Sequence, residues 1–258
     1  MKMPVLFVGH GSPMNAIEEN AFTKSLEKLR TKLPKPKAVC VVSAHWVTRG
    51  SQVNAEAWPK TIHDFYGFPP PLFEVQYPAP GAPKEAKRPA LENHLETDHK
   101  WGLDHGAWSV LRHIYPQADV PVFQLSLDHA RTFAEHVELG SELRELRERG
   151  VLILGSGNLV HNLRRINWNM PGSAYPWAEE FDAKVKKALD TRDVKTLAEP
   201  EKWGETLLGE AHPTLEHYAP VLYCVGSTDE NDAVSHPYEG MEFGSISMRT
   251  ALFEPQAA

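Results

Sequence analysis

Residues 151–161 read VLILGSGNLVH: a branched apolar run from Val151 to Leu154, a small-residue turn over Gly155, Ser156, Gly157 and Asn158, then His161. An unbroken Val/Ile/Leu run marks a strand buried on both faces, the habit of parallel sheets covered by helices. The same grammar recurs elsewhere. PVLFVGH at 4–10 ends in His10, and AVCVVSAH at 38–45 ends in His45. Strands are expected at Val5–Gly9, Ala38–Ala44, Gln52–Ala57, Val120–Leu127, Val151–Leu154, Val221–Val225 and Met241–Ser247. Gln52–Ala57 and Met241–Met248 alternate better and are expected as antiparallel edges.

Helical patterns fill the gaps. Asn20–Leu33 spaces Phe22, Leu26 and Leu29 on one face, and Ala174–Leu189 spaces Trp177, Phe181, Val185 and Leu189 four apart. Pro83–Glu96, Ala107–Ile114 and Arg131–Arg149 complete the set, the last stopped by Gly150. Leu189–Glu210 reads as a polar helical excursion. Strands alternating with helices imply an α/β fold with a central, mainly parallel mixed sheet flanked by helices. With no internal repeat and no linker, residues 1–258 read as a single catalytic domain.

Composition excludes several classes. Apolar residues make 41% of the 258 and charged residues 24%, an ordinary globular balance. The net charge of −7, with no strongly basic stretch, argues against nucleic acid as a partner. No apolar run approaches the ~20 residues of a membrane helix. The opening MKMPVLFVGHG has no signal-peptide h-region or cleavage site, so a cytoplasmic protein is expected. The two cysteines, Cys40 and Cys224, sit in apolar runs and read as buried strand residues, not a disulfide framework.

Prolines cluster in Trp58–Pro83, which also carries His63, Phe65, Tyr66, Phe68, Phe73 and Tyr77. A long, rigid, aromatic loop of this kind suits a lid or pocket wall. No third glycine completes a dinucleotide fingerprint after Gly155-Ser156-Gly157, because position 160 is Val. The phosphate-loop, HExxH and GxSxG patterns are absent, and no base is implied beside Ser12.

What remains is 13 histidines, several at the ends of apolar runs. In an open α/β sheet the ligand crevice lies beyond the carboxyl ends of the strands. His10, His45 and His161 would converge there as a metal or catalytic site. A fourth contributor comes from HPTLEHYAP at 212–220. His212 and His217, five apart, cannot share a helix face. Glu216 is a further candidate, and His10, His45 and Glu216 would make the two-histidine, one-carboxylate set of a non-haem iron(II) site. An all-histidine set suits zinc equally well, so a zinc hydrolase or a non-catalytic metal-binding protein are rival readings.

GHGSPMNAIE at 9–18, VVSAHW at 41–46, TIHDFYGFP at 61–69, GLDHGAWSVL at 102–111, GSGNLVHNLR at 155–164 and HPTLEHYAP at 212–220 stand in one order across the chain. Together they resemble the LigB-like class III extradiol ring-cleavage dioxygenases, most nearly the bacterial 4,5-DOPA extradiol dioxygenase branch. The resemblance implies a catechol substrate, O2 as co-substrate, a muconic semialdehyde product and one divalent metal ion, Fe(II) for turnover or Zn(II) as purified. It implies His10, His45 and His217 as metal ligands, with His161 as base or additional ligand and His105 as a second catalytic histidine. His63 and Asp64 are implied near the substrate. A monomer or homodimer is expected.

Overall fold

The computed structural model describes residues 2–88 and 95–256. The strands are β1 (Val5–Gly9), β2 (Ala38–Thr48), β3 (Gln52–Asn54), β4 (Glu96–Asp98), β5 (Val122–Asp128), β6 (Val151–Gly157), β7 (Ala233–Tyr238), β8 (Met241–Glu242), β9 (Ile246–Ser247) and β10 (Thr250–Glu254). Eight of them form one sheet in the order β4-β3-β5-β2-β6-β1-β10-β7. The central β5, β2, β6 and β1 are parallel, while β10 and β7 extend the sheet antiparallel. β3 runs antiparallel to β5 and parallel to β4. The fold is thus the α/β architecture that the apolar runs imply.

Alternate residues of the central strands feed two cores. Val5, Phe7, Cys40 and Ile153 face helices α3 (Phe133–Glu142), α4 (Pro176–Asp190) and α5 (Ala219–Gly226). Leu6, Val8, Val41 and Leu154 face α1 (Ala21–Lys32) and α2 (His105–Ile114). The helix starts are chemically marked. Asn20 and Thr23 close a capping box on α1, Thr132 and Glu135 close one on α3, and Asp104 caps α2 by accepting from the Ala107 amide.

Several expectations are corrected. Val221–Val225 lies in helix α5, not a strand. Every residue of that helix is buried, so it carries no amphipathic signal, and a short all-apolar run does not distinguish the two structures. Cys224 is accordingly a buried helix residue, whereas Cys40 is in β2. Gln52–Ala57 shortens to β3 and lies inside the sheet, covered by β4. Met241–Ser247 folds as a separate hairpin, because Phe243 (φ 50°) and Gly244 (φ 84°) turn the chain back on itself. Arg131–Arg149 breaks into α3 and a short helix at Arg144–Glu148. Among the described residues of Pro83–Glu96, Pro83–Ala86 is helical and Glu96 opens β4; residues 89–94 lie outside the described residues. No described helix is long and apolar enough to cross a membrane.

Candidate metal centre

Three adjacent parallel strands deliver three histidines to one end of the sheet. His10 follows β1, and its backbone amide donates to the Gly157 carbonyl at the end of β6 (3.0 Å). His45 lies in β2 where the register against β5 shifts between Val42 and Val47, an irregularity that re-aims side chains. His161 follows β6, with its backbone bridged to Ile246 of the β8–β9 hairpin. His217 arrives from the segment before α5, held by the Asn158 amide on its carbonyl (2.9 Å). A Cβ on Gly157 would lie 2.2 Å from that carbonyl oxygen, so the small-residue turn is what admits His217. His105 is the first residue of α2.

The rings are close. Nε2 of His10 and Nε2 of His45 are 3.0 Å apart. Ligand nitrogens on one tetrahedral zinc ion stand about 3.3 Å apart at Zn–N distances of about 2.05 Å. Ring centroids of His217 lie 5.5 Å from His10 and 5.0 Å from His45. His161 stacks on His217 at 3.4 Å with planes 6° apart. Ligand atoms of His10, His45 and His105 fall within 4.8 Å of one another, and so do those of His161, Glu216 and His217.

Partners behind the rings set their tautomers. The Ser156 hydroxyl donates to the Gly106 carbonyl (2.6 Å), so in its 2.9 Å contact with His10 Nδ1 it accepts. His10 therefore carries its proton on Nδ1 and turns a lone pair on Nε2 toward the cluster. His217 Nδ1 donates to the Glu216 carboxylate (3.1 Å), again freeing Nε2. His105 Nδ1 donates to Asp64 (2.9 Å), whose other oxygen accepts from the His105 backbone amide (2.8 Å). His45 Nδ1 stands 3.6 Å from the same carboxylate. Asp104, buried behind, accepts from Ser43 and Gln124 (both 2.7 Å). Carboxylates and hydroxyls behind imidazoles are the usual way to fix metal ligands.

Burial, then mutual repulsion with the neighbouring histidines, holds His10 and His217 well below the ordinary imidazole value. Burial and His105 do the same to His45, against the opposing pull of Asp64. Burial, then His212 and His105, lowers His161 to about 3. The rings are neutral near pH 7, the form that ligates metal. Nε2 of His217 is buried with no hydrogen-bond partner among the described residues. An orphaned lone pair beside two others at ligand spacing fits a divalent cation.

The site opens into a cavity of about 610 Å³. The Pro-rich loop supplies one wall through Asp64, Phe65, Tyr66 and Phe68. Leu163, Ile166 and Trp168 supply another, and Glu18, Glu242 and Phe243 stand in the remainder. Among the described residues, none that lines the cavity is Lys or Arg.

One expected neighbour lies elsewhere. His63 does not line the cavity: its Nε2 donates to the Val75 carbonyl (2.9 Å) and its ring packs against Phe65, Phe73 and Trp108. It organises the loop, and Asp64 alone of that pair reaches the site. Trp46 stacks on Trp101 (5.5 Å, 5°), away from the lining. His212 turns into the core against Phe181 and Tyr218 and bonds the Leu159 carbonyl, which separates it from His217. Glu216 supports His217 Nδ1 from behind. Ser156, Asp104, Glu18, Glu242 and the 163–168 wall were not anticipated, because nothing in their local sequence distinguishes them from ordinary polar or surface residues.

Comparison with known proteins agrees with this architecture. A 45% identical protein of Escherichia coli (strain K12), aligned over 96% of this chain and 93% of its own, is named 4,5-DOPA dioxygenase extradiol. A protein of Beta vulgaris with the same name is 38% identical over 93% of this chain and 94% of its own. A crystal structure of an uncharacterized protein from Escherichia coli K12 superposes with a TM-score of 0.83 at 41% identity, covering 97% of this chain and 99% of that one. The model for the catalytic LigB subunit of aromatic ring-opening dioxygenases matches residues 4–248, and the chain belongs to that family.

Proposed function

We propose that the protein is a metal-dependent extradiol dioxygenase, a single catalytic domain over residues 1–258, that cleaves catechols such as DOPA with O2 to a muconic semialdehyde. His10, His45 and His217 would hold one divalent ion, Fe(II) for turnover or Zn(II) as purified. The observation that carries the reading is the buried Nε2 of His217, unpartnered among the described residues, on a ring whose centroid lies 5.5 Å from that of His10 and 5.0 Å from that of His45, which themselves form the close Nε2 pair. When bound, iron supplies the Lewis acidity that lowers a catechol hydroxyl's pKa and the redox capacity that O2 insertion needs.

The chain's own groups do the rest. His161 has neither ring nitrogen hydrogen-bonded within the described residues and is neutral at pH 7, so it accepts the proton of a catechol hydroxyl. His105, fixed by Asp64 through both its amide and Nδ1, presents Nε2 to the cavity and stabilises charge that develops during ring opening. Phe65 and Phe68 wall the ring and exclude water.

The test is anaerobic loading with Fe(II), followed by O2 uptake and absorbance with a panel of catechols. Stoichiometric O2 consumption with a yellow product is expected. Hydrolysis by the zinc-loaded protein with no O2 uptake by the iron-loaded one would overturn the reading.

A further inference from the structure

We propose that Glu242, with Glu18 beside it, sets specificity by receiving an ammonium group on a short alkyl tail of the substrate. This rests on the catechol-cleaving reading and goes beyond it to the charge of the side chain that the site selects. Three independent features point the same way.

The first is the charge of the lining. Apart from its histidines, the described lining residues with acidic or basic side chains are Asp64, Glu18 and Glu242, all acidic. Asp64 is consumed by His105. A carboxylate tail would meet no cation and two anions.

The second is the unpaired state of Glu242. It is half-buried, yet its carboxylate has no hydrogen bond or ion pair with any described residue. Burial, then the charge of Glu18, raises its pKa, so the two carboxylates are close enough to repel. A partly desolvated anion beside a second anion is costly without a cation between them. The same cavity holds the orphaned Nε2 of His217, only 5% exposed, so it is built for an occupant at both ends.

The third is reach. Ile246 pairs with Glu242 on one side and bridges to His161 on the other. Glu242 thus sits two strand spacings from His161, about 9–10 Å between backbones. A catechol ring at the histidines with a two-carbon tail toward the hairpin spans such a gap. The turn at Phe243 (φ 50°) holds a bulky residue in the left-handed region and keeps both Glu242 and Phe243 on the wall.

The experiment compares dopamine, 4-ethylcatechol and 3-(3,4-dihydroxyphenyl)propionate, which carry positive, neutral and negative tails of similar length. kcat/KM is measured with the iron-loaded full chain, its Glu242→Gln variant, the Glu18→Gln/Glu242→Gln double variant and a distant control, Glu138→Gln. The wild type and the control should favour the cation over the neutral compound by about tenfold, chiefly through KM and less at high salt. Glu242→Gln should shrink that ratio about fivefold and the double variant should bring it near unity. In parallel, tyramine, 4-ethylphenol and 3-(4-hydroxyphenyl)propionate are titrated by quenching of tryptophan fluorescence, a readout that needs no turnover. If no catechol is cleaved but tyramine binds best and Glu242→Gln removes its advantage, the charge-selective site stands and the dioxygenase reading falls. If catechols are cleaved with the same charge preference in wild type and Glu242→Gln, or the anion is favoured, the proposal is overturned while the reaction stands.

Discussion

Acidifying the metal-free protein measures what it costs to hold several imidazoles neutral in one place. A histidine whose folded pKa lies below its unfolded value takes up its proton first in the unfolded chain. Its contribution is intact above the unfolded value of about 6.5 and is lost as pH falls from there toward the folded value. For His161 that window runs from about 6.5 down to about 3. At pH 5 only the unfolded chain has bound this proton, across about 1.5 pH units of the window, which is about 2 kcal/mol of lost stability. His10, His45 and His217 are shifted in the same direction, so about 2 kcal/mol is a floor. Carboxylates contribute little above pH 5. The assay is urea unfolding of chelator-treated protein at pH 7.5 and 5.0, followed by tryptophan fluorescence. With a slope near 3 kcal/mol per molar urea, the midpoint should fall by roughly 0.7 M or more. His161→Phe should recover about 2 kcal/mol of that difference. An unchanged midpoint in the wild type, or an unchanged pH difference in His161→Phe, would refute the account of a neutral, desolvated cluster.

Four further outcomes follow from the same geometry. His10→Ala and His45→Ala should lose most bound metal by elemental analysis, whereas Glu216→Ala, which removes only the support on His217 Nδ1, should weaken affinity about 10–100-fold; complete loss in that variant would make the carboxylate a ligand. His161→Ala should keep its metal and lose about 10²–10⁴ in kcat, and a variant as empty as His10→Ala would show His161 to be chiefly a ligand. Asp64→Asn removes the acceptor that fixes His105, so kcat should fall by about 10–100-fold with metal content little changed, and full activity would remove the pair from the mechanism. Because His63 bonds Val75 and lies off the cavity, His63→Ala should cost about 1 kcal/mol of stability in denaturation while KM stays within about twofold; a large rise in KM would return it to the substrate.

How much was readable in advance depended on how far each signal was local. Continuous apolar runs located the four central parallel strands, since burial on both faces leaves an unbroken stretch, and a histidine at or just beyond such a run pointed to the sheet's carboxyl end. The same rule failed at Val221–Val225, where a helix enclosed on every side carries an equally unbroken stretch. β7 and β10 escaped notice because their pairing is antiparallel and their sequences, AVSHPY and TALFE, are short and mixed. Within the loop, TIHDFYGFP gave no way to tell that His63 turns inward to Val75 while Asp64 turns to His105. That choice is made by residues far away in the chain. Glu242 was invisible for the same reason, since its isolation is a property of the cavity.

The pairing of β1 with β10 bears on how the protein acquires its site in time. Val5 lies opposite Phe253, and the Gly9 amide donates to the Arg249 carbonyl (2.9 Å), immediately before His10. The strand that presents His10 is thus clamped between β6 and a strand nearly the whole chain away. Contacts of such sequence separation close late, because the loop entropy must be lost before the pairing offsets it. A growing chain on the ribosome would hold His10 unplaced until β10 has emerged. Full assembly of the histidine cluster therefore depends on β10, and a chain cut before Thr250 would leave the strand that presents His10 without its second neighbour.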